Sequence, residues 1–224
     1  MNYTLDWKEY ANTARQMVAE GCVLLKNEKN TLPLQQGERV SVFGRIQFDY
    51  YKSGTGSGGL VNTPYVVSIL DGLKEAGTVT LNEELIAVYE NWISQNPFDQ
   101  GVGWAQEPWC QKEMALSEEL VKESAAKSDV AVIVIGRTAG EDKDNSATPG
   151  SYLLTKEEEE MLDVVCRHFT RSIVVLNVGN VIDMKWVEQY KPGAVLYAWQ
   201  GGAEGGNGIA DVLTGKVSPS GKLS

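Results

Sequence analysis

The sequence predicts an α/β protein, a three-layer α/β/α sandwich around a mostly parallel sheet of about six strands. Three observations predict it. The apolar runs at 129–135, 172–179 and 194–199 show almost no polar alternation, as expected of strands buried on both faces. Amphipathic segments with helix-start signals lie between the strand signals. The two kinds of element alternate along the chain, the pattern of a parallel sheet covered on both sides. A chain of 224 residues can bury a full core. No repeat, low-complexity tract or linker demands a second domain, so 1–224 is read as one domain.

The elements follow in order. Asp6 is an N-cap with Glu9 three residues on, and Ala11, Ala14, Met17 and Val18 share one helical face that Gly21 ends. Cys22–Asn27 is a short apolar run, and Arg39–Gly44 is the first buried strand. A helix is expected over Val66–Ala76, closed by Gly77, then a short strand at Thr78–Leu81. Asn82-Glu83-Glu84 starts a helix that buries Leu85, Ile86, Tyr89 and Ile93. Residues 94–114 have no clear period and read as a variable insertion carrying Phe98, Trp104 and Trp109. Such rings stack on sugar faces or pin a loop to the core. Leu116–Lys127 is amphipathic and leads into the Asp129–Ile135 strand, which the sequence ends at Gly136-Arg137-Thr138-Ala139-Gly140. Thr155 with Glu158 forms a capping box, and Glu157 to Glu160 suit the helix N-terminus. Leu162, Val165 and Phe169 continue that helix's buried face. A last helix is expected from about Asn207 to Leu213.

Composition excludes several functions. Net charge is −10, from 20 basic against 30 acidic residues, which argues against nucleic acid or an anionic membrane as partner. No apolar run is long enough to span a bilayer, and MNYTLDWKEY lacks the features of a signal peptide. Cys22, Cys110 and Cys166 are widely spaced with no CxxC pair, which predicts reduced, mostly buried thiols and a cytoplasmic protein. The single histidine, His168, would have to serve any Ser-His-Asp triad or zinc site. Nothing nearby supports either, so it reads as surface or capping, and neither metal nor cofactor is expected.

The chemistry points to two loops. Gly140-Glu141-Asp142-Lys143-Asp144 follows the central strand, and ligands collect outside the carboxyl ends of such strands. Four charges in a row are also a plausible solvated loop. Gly54, Gly56 and Gly59 match GxGxxG, but some ten residues separate them from the strand before, and Leu60-Val61-Asn62-Thr63-Pro64 replaces the helix start that a dinucleotide site needs.

Several stretches together resemble glycoside hydrolase family 3, specifically its second, α/β-sandwich domain. They are Glu20–Asn27 with Thr31–Leu34, Gly56-Ser57-Gly58 with Val61-Asn62, Gly140–Asp144, and Trp199–Gly206 through Ala210–Gly215 to Pro219–Leu223. The resemblance implies a retaining, exo-acting β-glucosidase acting on a β-linked glucoside or short oligosaccharide. It implies an active site shared with a (β/α)8 barrel, which supplies an aspartate nucleophile and is absent from this chain. The chain is therefore expected to be a domain of a longer enzyme, inactive alone. On the same ground Glu141 is the general acid/base, Asp144 matches the aspartate of the family's Gly-Glu-x-x-Asp loop, and Ser57, Gly58 and Asp144 are candidate substrate contacts, with the glycine loop bordering the leaving-group side. Relatives often have an aromatic residue and an arginine where this chain has Lys143 and Asn145. Retention needs two carboxyl groups about 5–5.5 Å apart. The acid must also hold its proton near neutral pH, through burial or a negative neighbour such as Asp142 or Asp144. Two alternatives stand beside this reading: a non-catalytic carbohydrate-binding module using Trp104, Trp109 and Trp199, and a nucleotide-binding domain using Gly54 to Gly59.

Overall fold

A computed structural model describes residues 4–223. Its six strands are β1 (Val23–Asn27), β2 (Arg39–Phe43), β3 (Thr80–Leu81), β4 (Val130–Arg137), β5 (Ser172–Val178) and β6 (Ala194–Tyr197). They form one sheet in the order β1-β6-β5-β4-β2-β3, parallel except for the antiparallel edge strand β1. The α-helices are α1 (Trp7–Gly21), α2 (Ile69–Ala76), α3 (Glu83–Gln95), α4 (Glu118–Lys127), α5 (Lys156–His168), α6 (Trp186–Tyr190) and α7 (Gly205–Leu213).

The central strand shows why three layers result. Val130, Val132 and Val134 of β4 pack with α1, α2 and α7, while Ala131, Ile133 and Ile135 pack with α3 to α6. Side chains alternate across a strand, so an unbroken apolar run demands a cover on each face. Cap chemistry sets the helix starts: Asp6, Ser68, Asn82, Ser117 and Thr155 each accept backbone N–H groups of the first turn. Gly77 closes α2 in the left-handed conformation.

Four expectations need correction. The second helix begins at Ile69, three residues late, because the Ser68 hydroxyl caps it by accepting Asp71 N–H. Met17 of α1 is 69% exposed, whereas Ala19 is the buried residue of that helix. Strand β4 does not break at Gly136; Gly136 and Arg137 pair with Asn177 and Val178. The short helix α6, which the sequence reading did not identify, buries Trp186 against the α3–α6 face.

The stretch after α3 is pinned rather than loose. Arg45, 1% exposed in the turn after β2, donates to Asp49, to Lys112 O and to Asn96 O. Its guanidinium lies 5.4 Å from the Trp92 ring centroid. Glu113 is buried and accepts Arg45 N–H at 2.9 Å and Met114 N–H at 2.8 Å. Burial pushes the Glu113 carboxyl up to about 7, against the opposing pull of those two N–H donors. A carboxyl raised on folding stabilises fully below its unfolded value of about 4.5, and the benefit is lost as pH rises through about 7. Stability should therefore fall between these pH values more steeply in the native chain than in Glu113→Gln, by up to about 3 kcal/mol across the window. Urea unfolding at several pH values checks this, and equal slopes would refute it.

Candidate active site

Topology selects the place. From β2 the chain crosses by α2 to β3 on one side; from β4 it crosses by α5 to β5 on the other. Those two helices lie on opposite faces of the sheet. Strands β2 and β4 are neighbours, so the order reverses between them and their carboxyl ends flank a crevice. The loop after β2 carries Gly54 to Gly59, and the loop after β4 carries Glu141.

The two loops are zipped together. Thr55 N–H donates to Ala139 O at 2.7 Å, and Thr55 bridges Gly140 in parallel fashion. A Cβ on Gly54 would run into the Ala139 carbonyl. One on Gly56, which sits at φ +74°, would lie 2.5 Å from Glu141 Cβ and 2.8 Å from its Oε2. The glycines thus serve loop-to-loop contact. Four N–H groups of the glycine loop already have partners: Thr55 donates to Ala139 O, Gly59 and Leu60 to Gly56 O, and Ser57 to Glu141. No helix follows until Ile69, so a phosphate cradle is not built here.

Glu141 itself is exposed, with its carboxylate over the glycine loop. Its Oε2 accepts the Ser57 hydroxyl at 2.6 Å and the Ser57 N–H at 3.0 Å. These donors, the hydroxyl first, hold the Glu141 carboxyl below the usual carboxylate range. The expectation of a raised value is corrected for the domain alone: the group is open to water and bonded in its charged form. Ser57, expected to touch sugar, donates both its hydroxyl and its N–H to Glu141 in this domain. Gly58 and Asp144 are exposed beside it. Carbon-detected titration of the isolated domain tests the Ser57 contact. Ser57→Ala should move the Glu141 carboxyl up toward the ordinary range, and an unmoved value would break the link.

The three tryptophans do not form one platform. Trp104, 48% exposed, lines a cleft of ≈ 340 Å³ with Tyr51, Phe98 and Glu107 next to the glycine loop. Trp109 lies under the Lys143 ammonium, 4.9 Å from its ring centroid. Trp199 lines a separate groove with Tyr10 and Met17. The contact at Trp109 ties the residues before α4 to the acidic loop. His168 bonds Glu118 through Nε2 at 3.2 Å, far from the loops in role and consistent with a surface position. Among the described residues no cluster of metal-ligating side chains is present.

Sequence reasoning set the glycine loop beside the pocket but missed Thr55, which joins it to the Glu141 loop. The signal was available as one glycine-rich stretch after β2 and a second after β4, which topology makes neighbours. It also read Arg137 as a strand breaker.

Residues 22–224 match the model of the glycosyl hydrolase family 3 C-terminal domain. The chain belongs to glycosyl hydrolase family 3. The family 3 domain seen here is 53% identical over 219 residues to a beta-glucosidase of Ruminococcus albus, covering 98% of this chain and 23% of that protein. It is 36% identical over 233 residues to beta-glucosidase A of Butyrivibrio fibrisolvens, covering 93% and 27%. Among solved structures, a beta-glucosidase from Paenibacillus barengoltzii superposes with a TM-score of 0.94 at 54% identity, over 99% of this chain and 24% of that one. Beta-glucosidase 3B from Thermotoga neapolitana, solved with α-D-glucose, gives 0.88 at 36% identity, over 98% and 31%. The family 3 domain thus spans about a quarter of the length of the relatives it matches.

Proposed function

We propose that this domain supplies the general acid/base, Glu141, to the active site of a retaining, exo-acting β-glucosidase. The substrate is a β-linked glucoside or short oligosaccharide, and a (β/α)8 barrel of the full-length protein supplies the nucleophile. The observation that carries this is the exposed Glu141 carboxylate, mounted on a zipped pair of loops at the switch point of the sheet. The beta-glucosidase relatives support the reaction class. We also place the protein in the cytoplasm, on its three unpaired thiols.

In the first step Glu141 gives its proton to the glycosidic oxygen while the barrel aspartate attacks the anomeric carbon. In the second, the Glu141 carboxylate takes a proton from water, which releases the sugar with retained configuration. Ser57 stabilises the charged form and so favours the second role. Docking against the barrel brings a second carboxylate near and removes water, and both effects raise the Glu141 carboxyl for the first role.

Trapping tests the shared site. A 2-deoxy-2-fluoro-β-glucoside with a good leaving group should label an aspartate outside residues 1–224 of the full-length protein, read by peptide mass mapping. A label inside these residues would overturn the division of labour. The domain alone should not cleave an aryl β-glucoside.

A further inference from the structure

Arg137 ends β4, the strand that leads into the Glu141 loop. It is 2% exposed and follows the apolar run Val130 to Gly136. A buried ion pair contributes little net stability against well-packed apolar side chains, so this one invites another explanation. Its five donor contacts supply one. Nε donates to Ser151 O at 3.0 Å, one terminal nitrogen to Gly136 O at 2.7 Å and to Glu158 Oε1 at 2.6 Å. The other terminal nitrogen donates to Leu153 O at 3.2 Å and to Glu158 Oε2 at 2.6 Å. The guanidinium thus joins the strand end, the far end of the loop and the first turn of α5.

The same atoms continue toward the acid. Ser151 is held by its carbonyl, and its hydroxyl accepts Ser146 N–H at 3.0 Å and donates to Asn145 Oδ1 at 3.1 Å. Asn145 in turn donates to Val181 O at 2.7 Å. Glu158 Oε2 also accepts Thr155 N–H at 2.8 Å, so one carboxylate closes the helix cap and the Arg137 fork together. The fork's bonds end at Asn145 and Ser146; from Ala139 to Lys143 the contacts with neighbouring segments come from the glycine loop and Trp109.

We infer that Arg137, forked onto Glu158, is a positioning residue for the Glu141 acid/base: it closes the base of the loop that carries the carboxyl. The inference rests on the proposed role of Glu141. Lysine keeps the charge but lacks the planar fork, so Arg137→Lys cannot satisfy Ser151 O, Leu153 O and both Glu158 oxygens together. The double variant Arg137→Met with Glu158→Gln removes both charges and leaves an oxygen to cap Thr155 N–H.

Both variants are compared with Glu141→Gln in the full-length protein. Melting temperature reports folding, and kcat/KM is read on an alkyl β-glucoside and on 2,4-dinitrophenyl β-glucoside. A displaced acid should cost about tenfold to a hundredfold on the alkyl substrate, part of what a general acid supplies, and several-fold less on the dinitrophenyl one. Equal losses on both substrates, or no loss, overturn the positioning role while Glu141→Gln still discriminates between them. Failure of Glu141→Gln to discriminate removes the acid assignment and this inference with it. Arg137→Lys carries the comparison if the double variant does not fold.

Discussion

Glu141→Gln in the full-length protein lowers kcat/KM for an alkyl β-glucoside by about 10²–10⁴, the range a positioned general acid supplies. Glutamine keeps the shape of the side chain and can still meet the Ser57 donors with its carbonyl oxygen. It has no proton to give an alkoxide. On 2,4-dinitrophenyl β-glucoside, whose leaving oxygen needs no proton, kcat/KM changes little because that ratio reports the first step. There kcat and KM fall together, since the missing base slows the second step and the glycosyl-enzyme accumulates. Steady-state kinetics on the two substrates checks this. A loss below about tenfold on the alkyl substrate would mean that another group donates the proton.

Gly56→Ala is the second change with a large expected effect. The residue sits at φ +74°, and its Cβ would meet Glu141 Cβ and Oε2 at 2.5 and 2.8 Å. Either the glycine loop retreats or Glu141 is pushed out, and a shift of about 1 Å at a reacting group costs on the order of a hundredfold. The loss should again be concentrated on the poor leaving group. Gly58→Ala is the informative partner. A Cβ there meets nothing nearer than Gly54 O at 3.9 Å, so the loops stay zipped. Any contact of sugar with Gly58 then appears in KM, without the leaving-group signature. If both variants behave alike, the close approach at Gly56 is not what places the acid.

Much of the fold was legible because its signals are local. An apolar run such as Val130 to Ile135 needs no partner to declare itself, and the caps at Asp6, Asn82 and Thr155 are written within four residues. The errors fall where distant residues decide. Gly136-Arg137 looks like a strand end because a glycine and a charge follow apolar residues. It stays strand because Asn177 and Val178 pair with it and Glu158, on another element, neutralises the arginine. Ser57 and Glu141 are far apart in the chain, and only the reversal of strand order between β2 and β4 brings them together. That the Glu141 carboxyl is held low in the domain alone was hidden for the same reason: the acidic neighbours were visible in the sequence, the Ser57 donors were not.

Chemical rescue tests most directly whether Glu141 is the donor and base that this domain contributes. Azide attacks a glycosyl-enzyme without needing a base. With Glu141→Ala in the full-length protein and 2,4-dinitrophenyl β-glucoside, added azide should raise kcat and yield β-glucosyl azide. An unaccelerated reaction, with glucose as sole product, would contradict the assignment.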